Sequence, residues 1–212
     1  MTESGKKRRL TGTLLIGKGG YWLLDKIVAG LAATGVHPDL LTFFGLVVNT
    51  VAAALFAAGE FKWGALVIFL AGIFDMTDGR VARRLNRVTR FGAFFDSMID
   101  RYSDLVLYIG LVVHYARIDR ISYVVLTAIA LGSSQLVSYS RARAESLIPS
   151  CKVGFMERPE RVVLLIIGAV FDRMAPVLWV VAVLSTWTVI HRIIYTKQES
   201  KKIVPLPESS GG

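Results

Sequence analysis

Apolar stretches of roughly 20 residues recur along this chain, about the length of helix that crosses a bilayer core. Six can be marked, at about 40–58, 63–84, 91–115, 121–145, 158–172 and 176–197. Inside lipid every backbone N–H and C=O must find its partner within the protein, which holds such stretches to helices. The pattern therefore predicts an all-α integral membrane protein. The overall apolar fraction of 53% does not separate this from a soluble domain, which is also about half apolar; the distribution does.

Ahead of the first stretch, residues 21–34 look amphipathic and too short to span. They are expected to form a helix lying in the membrane interface. His37-Pro38-Asp39 then offers a helix start, with Pro38 as breaker and Asp39 as cap. The expected organisation is six transmembrane helices preceded by an N-terminal amphipathic interfacial helix. Residues 1–36 form a cytoplasmic N-terminus with that helix, 37–197 one six-span domain, and 198–212 a polar, disordered cytoplasmic tail.

Basic residues set the expected orientation. With both termini in the cytoplasm, the connection between spans two and three carries Arg80, Arg83, Arg84, Arg87 and Arg90. The connection between spans four and five carries Arg141, Arg143, Lys152, Arg158 and Arg161. The opposite face receives only Lys62, Arg117, Arg120 and Arg173, four of the 25 Lys and Arg. This is the positive-inside distribution of a multi-pass cell-membrane protein. The net charge of +9 sits at the ends of membrane segments, which favours membrane lipid headgroups and phosphates over nucleic acid as partners. Cys151 is the only cysteine, so no intramolecular disulfide forms. Lys6, Lys7, Arg8 and Arg9 are not followed directly by the apolar run and small-residue site of a cleavable signal.

The chemistry lies in spans two and three. Asp75 and Asp78 are three apart and share one helix face; Asp96 and Asp100 are four apart and share another. A basic stretch near 84–90 reverses the chain between them, so the two pairs can converge at the cytoplasmic end of an antiparallel helix pair. A carboxylate deep in a membrane helix costs roughly 2.5–3.5 kcal/mol, and four cost on the order of 10 kcal/mol before any discount for shallow depth. Ion pairs with Arg80, Arg83 and Arg101 would offset part of this, but need neither two matched spacings nor the glycines beside them. Two divalent cations would offset all four charges. Clustered carboxylate oxygens suit Mg²⁺ or Mn²⁺, and paired metals clamp the attacking and leaving oxygens of a displacement at phosphorus. Gly79 either lets a pyrophosphate approach the helix or packs against a neighbouring helix. Arg83, one turn on, is placed to hold a phosphate.

The residues Asp75, Asp78, Gly79, Ala82, Arg83, Gly92, Asp96 and Asp100 fit D-x2-D-G-x2-A-R-x8-G-x3-D-x3-D at every specified position. The chain thus resembles the CDP-alcohol phosphotransferase family, and the six-span layout with its preceding interfacial helix resembles it too. The resemblance implies transfer of the phosphatidyl group of CDP-diacylglycerol to an alcohol, with CMP leaving. It implies that Asp75, Asp78 and Asp96 ligate two Mg²⁺ ions (Mn²⁺ being the alternative). Asp100 would be general base on the acceptor hydroxyl and also a metal ligand. Gly79 and Arg83 would contact the diphosphate, and Thr89 with Asp39, Leu40, Leu41 and Thr42 would hold the cytidine nucleotide. For Asp39 the capping role stays open beside this one. A carboxylate beside cations is held ionised and can accept a proton from a hydroxyl in the same field. Family likeness also implies a homodimer.

Further along, Ser138–Glu145 closes span four and Gly154–Arg161 opens span five, with Arg192 near the end of span six. Any one of these arginines is explained by positive-inside anchoring; together they could line a pocket suited to an acceptor that carries a phosphate. These segments resemble the bacterial phosphatidylinositol phosphate synthases. The resemblance implies inositol 1-phosphate as acceptor and Arg141, Arg158 and Arg192 as its phosphate contacts. Position 141 is commonly Lys in that group; Arg keeps the charge and changes the geometry. The run Pro38–Thr42 lacks the Arg that relatives using glycerol 3-phosphate tend to carry shortly after. Glycerol 3-phosphate is the next acceptor, then a free alcohol. An ion transporter also keeps carboxylates in the membrane, but near its middle and on broken helices, whereas these sit toward one face beside arginines.

Overall fold

The computed structural model of the protein describes Lys26, residues 37–84 and residues 89–202, with the side chains of these residues other than Pro38 and 74–84. From residue 37 on, the described residues form six helices in order: α1 (Pro38–Ala58), α2 (Phe61–Arg84), α3 (Arg90–Arg117), α4 (Ile121–Glu145), α5 (Arg158–Val170) and α6 (Met174–Ser200). No strand occurs among the described residues. The expected interfacial helix at 21–34 lies outside them except for Lys26, as does the tail beyond residue 202. Helix α6 runs to Ser200, so residues 198–200 are helical and do not belong to a disordered tail.

Local signals set the ends. Pro38 stands in the first turn of α1, where its missing N–H costs nothing. The N-cap is His37 and not Asp39, which lies inside the first turn, and no side chain caps this helix. α1 stops at Gly59, where Gly59 N–H donates to Phe56 O at 3.0 Å and Glu60 N–H to Leu55 O at 2.9 Å. α3 begins at Thr89, whose hydroxyl accepts from Gly92 N–H at 2.8 Å.

Among the described residues three helical segments, Asp39–Ala58, Ile121–Glu145 and Met174–Ser200, are long and apolar enough to cross a membrane. They match three of the six expected spans. α5 has 13 residues, about 20 Å of helix against a hydrocarbon core of about 30 Å. α3 has the length, but Asp96, Asp100, Arg101 and Asp104 interrupt its first half. In α2, Phe61–Ile73 forms a shorter apolar segment.

Each helix packs on two others: α1 on α2 and α3, α4 on α3 and α6, α5 on α2 and α6. These contacts close a ring in the order α1, α2, α5, α6, α4, α3. Phe43, Phe69, Ile129, Trp179, Val183 and Trp187 are among the many large apolar side chains exposed on its outside, as a membrane-associated bundle requires. Between helices in lipid there is little hydrophobic driving force, so close packing of small residues takes over. Ala52, Ala53, Ala65, Ala130, Ala169 and Ala182 accordingly sit in the core beside Phe56, Leu107, Leu111 and Leu178.

The tightest approach is at Gly110 of α3, where a Cβ would come within 2.3 Å of Ala53 O on α1. The obstacle is backbone, so no rotamer change relieves it. Gly110→Ala is expected to push α1 from α3 and destabilise the protein by about 1–3 kcal/mol, read as a lower melting temperature in detergent. An unchanged melting temperature would show that the two helices separate freely.

Candidate active site

At one end of the ring the first half of α3, the end of α4, the start of α5 and the last part of α6 surround a cleft of about 310 Å³. Asp100 lines it, with Arg141, Arg158 and Arg192. Residues from four helices and from distant parts of the chain are thereby brought to one place.

On α3 the spacing of four residues continues past the motif: Asp96, Asp100 and Asp104 form a row along one helix face. Asp96 is exposed, Asp100 is about a third exposed and Asp104 is buried. The row therefore descends from solvent into the protein. Arg158, in the first turn of α5, spans its lower two members. Its Nη1 lies 2.6 Å from Asp100 Oδ1, and its Nε donates to Asp104 Oδ1 at 3.4 Å. Arg161, one turn further, donates from Nη2 to Asp104 Oδ2 at 2.7 Å.

The opposite wall is built on Glu157. Its Oε1 accepts from Arg141 Nη1 at 2.9 Å and from Arg192 Nη2 at 3.4 Å. Arg141 also reaches Glu145 at 3.3 Å, and the same Glu145 oxygen accepts from Cys151 N–H. Arg192 is only 1% exposed. It donates to Val153 O at 2.9 Å and to Val137 O, tying the connection between α4 and α5 down onto α6. So Arg192 is in the cleft wall, and two of these three hydrogen bonds go to backbone carbonyls. Five guanidinium groups (Arg101, Arg141, Arg158, Arg161 and Arg192) face four carboxylates (Asp100, Asp104, Glu145 and Glu157) around this cleft. The near balance explains how Asp104, Arg161 and Arg192 tolerate burial here.

The nucleotide candidates fall into two groups. Asp39 and Thr89 meet at the start of α3: a Cβ on Gly92 would lie 3.0 Å from Thr89 Oγ1 and 3.4 Å from Asp39 Oδ1. A side chain at Gly92 of the motif would therefore crowd the Thr89 hydroxyl that caps the helix. Asp39 Oδ2 also lies 3.4 Å from His37 Nδ1. Leu40 faces outward, whereas Leu41 and Thr42 are buried.

Asp75, Asp78, Gly79 and Arg83 lie on the continuous helix α2, with side chains outside the described set. Among the described residues no group of three or more acidic, His or Cys side chains is gathered for a metal. The described members of the expected ligand set, Asp96 and Asp100, are one helical turn apart and supply only carboxylate oxygen, the donor that suits hard divalent cations. The residues fit such an ion.

Sequence reasoning does not single out Asp104 or Glu157, and takes Arg161 only as one of the arginines opening span five. Asp104 is findable as the next step of the four-residue spacing after Asp96 and Asp100. The pairings of Glu157 and Arg161 carry no such signal, because their partners are 16 or more residues away and on other helices.

Residues 35–194 match the family model described as CDP-alcohol phosphatidyltransferase. The chain is 35% identical over 199 residues to the phosphatidylinositol phosphate synthase of Mycobacteroides abscessus, covering 90% of each. It superposes on the crystal structure of Mycobacterium tuberculosis phosphatidylinositol phosphate synthase with CDP-DAG bound, with a TM-score of 0.81, 32% identity and coverage of 87% of this chain and 98% of that one. The same M. tuberculosis enzyme in complex with manganese and citrate gives a TM-score of 0.79 at 34% identity, covering 86% of this chain and 93% of that one. The eight motif positions, the helices that carry them and the match over most of the chain agree, and the protein belongs to the CDP-alcohol phosphatidyltransferase family.

Proposed function

We propose that the protein transfers the phosphatidyl group of CDP-diacylglycerol to inositol 1-phosphate, releasing CMP. The observation that carries this reading is the arginine wall facing the last aspartate of the motif, with Arg158 Nη1 at 2.6 Å from Asp100 Oδ1. A phosphate held there puts the rest of its sugar alcohol beside the carboxylate that must take its proton. The names of the relatives support the same acceptor.

In this reading Arg141 and Arg158 bind the acceptor phosphate as charge-assisted donors, and Arg192 supports them through their shared wall. Glu157 and Asp100 hold these arginines until the phosphate arrives and displaces them. Asp100 then accepts the hydroxyl proton as the acceptor oxygen bonds to the lipid-side phosphorus. The bond from that phosphorus to the bridging oxygen breaks, and the electron pair leaves with CMP. Gly79 and Arg83 hold the diphosphate; Asp39 and Thr89, with Leu40, Leu41 and Thr42, hold the nucleotide end. Asp75, Asp78, Asp96 and Asp100 would hold the divalent cations, two Mg²⁺ by the number of carboxylates, with Mn²⁺ as alternative. Such ions neutralise charge on the phosphoryl oxygens and acidify the acceptor hydroxyl.

The domain spans residues 37–197 and crosses the membrane six times after an interfacial helix, as a homodimer with both termini and the cleft cytoplasmic. The excess of basic residues at the cleft end supports that orientation.

A panel of acceptors with radiolabelled CDP-diacylglycerol tests the reading. Product with inositol 1-phosphate, well above that with glycerol 3-phosphate or free inositol, is expected. Turnover with glycerol 3-phosphate and none with inositol 1-phosphate would overturn the acceptor assignment.

A further inference from the structure

Asp104 and Arg161 form a buried ion pair beneath the cleft, with side chains 6% and 2% exposed and 2.7 Å between Nη2 and Oδ2. A pair like this is a poor means of stabilising a bundle. Desolvating two charges is costly, and apolar residues of the same volume commonly do as well or better. The geometry is also incomplete: among the described residues Arg161 Nε is buried without a hydrogen-bond partner. What the pair does achieve is directional. With Oδ2 committed to Arg161, Asp104 turns Oδ1 toward Arg158 Nε, 3.4 Å away. Arg161 is in turn fixed by donating to Met156 O at 3.2 Å, just before the first turn of α5. Arg158 is thereby held from below while its Nη1 meets Asp100 at the cleft surface.

We infer that Asp104, locked by Arg161, is a positioning residue that orients Arg158 toward the acceptor phosphate. In this role Asp104, at the floor of the cleft, acts through Arg158 and not on the substrate. Its contribution falls on acceptor binding and not on the CDP-lipid. This inference rests on the assignment of Arg158 to acceptor binding made above.

The test uses the double variant Asp104→Asn with Arg161→Gln. Removing one partner of a buried pair strands a charge, whereas neutralising both does not. The full-length protein is assayed in detergent for melting temperature and for the KM of each substrate. The expected result is a melting temperature near that of the unaltered protein, an unchanged KM for CDP-diacylglycerol, and an acceptor KM raised roughly tenfold with kcat largely kept. An unchanged acceptor KM would reduce the pair to packing, and equal rises in both KM values would make it a general support of the site; either result overturns the inference. If the double variant does not fold, Asp104→Glu keeps both charges while shifting the carboxylate, and the same comparison of KM values decides. Failure of the unaltered protein to turn over inositol 1-phosphate would refute the acceptor reading. Turnover by the unaltered protein with no change in the variant refutes only the positioning role.

Discussion

Asp100→Asn is expected to lower phosphatidyl transfer by roughly 10²–10⁴-fold, the range of a lost general base, while CDP-lipid binding is largely kept. The fold should survive. Asp100 is about a third exposed, and Arg158 retains Asp104 as a carboxylate partner when the Asp100 charge is removed. No guanidinium is stranded, so the change is confined to chemistry. Release of CMP and equilibrium binding of the CDP-lipid, measured on the same preparation, separate the two roles proposed for this residue. Loss of binding together with turnover would make Asp100 chiefly a metal ligand and leave the reaction without its assigned base.

Chelation of divalent cations is expected to abolish transfer altogether, and added Mg²⁺ or Mn²⁺ to restore it. The four carboxylates proposed as ligands would repel one another without cations between them, so the same ions should also stabilise the folded protein. A ligand bound only by the native state adds about 2.7 kcal/mol at a hundredfold excess over its Kd, which raises the melting temperature in detergent. Asp96→Asn, at the exposed end of the row on α3, should weaken that Mg²⁺-dependent rise. Full activity after exhaustive chelation, with no shift in melting temperature on adding Mg²⁺, would remove the metal site from the mechanism.

Much of the architecture is readable from the chain. The expected spans at 121–145 and 63–84 correspond to α4 (Ile121–Glu145) and α2 (Phe61–Arg84), and the others agree within a few residues at each end. Breaks at Pro38, Gly59 and Thr89 are written in residue types whose backbone preferences act locally. The run His37-Pro38-Asp39 offers Asp39 as cap of α1 or as a nucleotide contact; in the structure His37 holds the cap position and Asp39 lies near Gly92 at the start of α3. α5 came out at 13 residues because its C-terminal end is set by the turn at Phe171–Arg173, where Asp172 takes a positive φ.

That Asp75 and Asp78 share one helix face, and Asp96 and Asp100 another, was determined by the sequence alone, because a spacing of three or four residues on a helix is a statement about one face and needs no other element. The family followed from these two pairs and their glycines. The cleft was decided only by tertiary structure. Closure of six helices into a ring brings Asp104 to Arg161 across 57 residues and Glu157 to Arg192 across 35, and it buries Arg192 under the connection it secures. Helix periodicity fixes which residues share a face, but the pairing of charges between helices depends on which faces meet. That is set by small-residue contacts such as Gly110 against Ala53, which carry no mark of the charges they bring together.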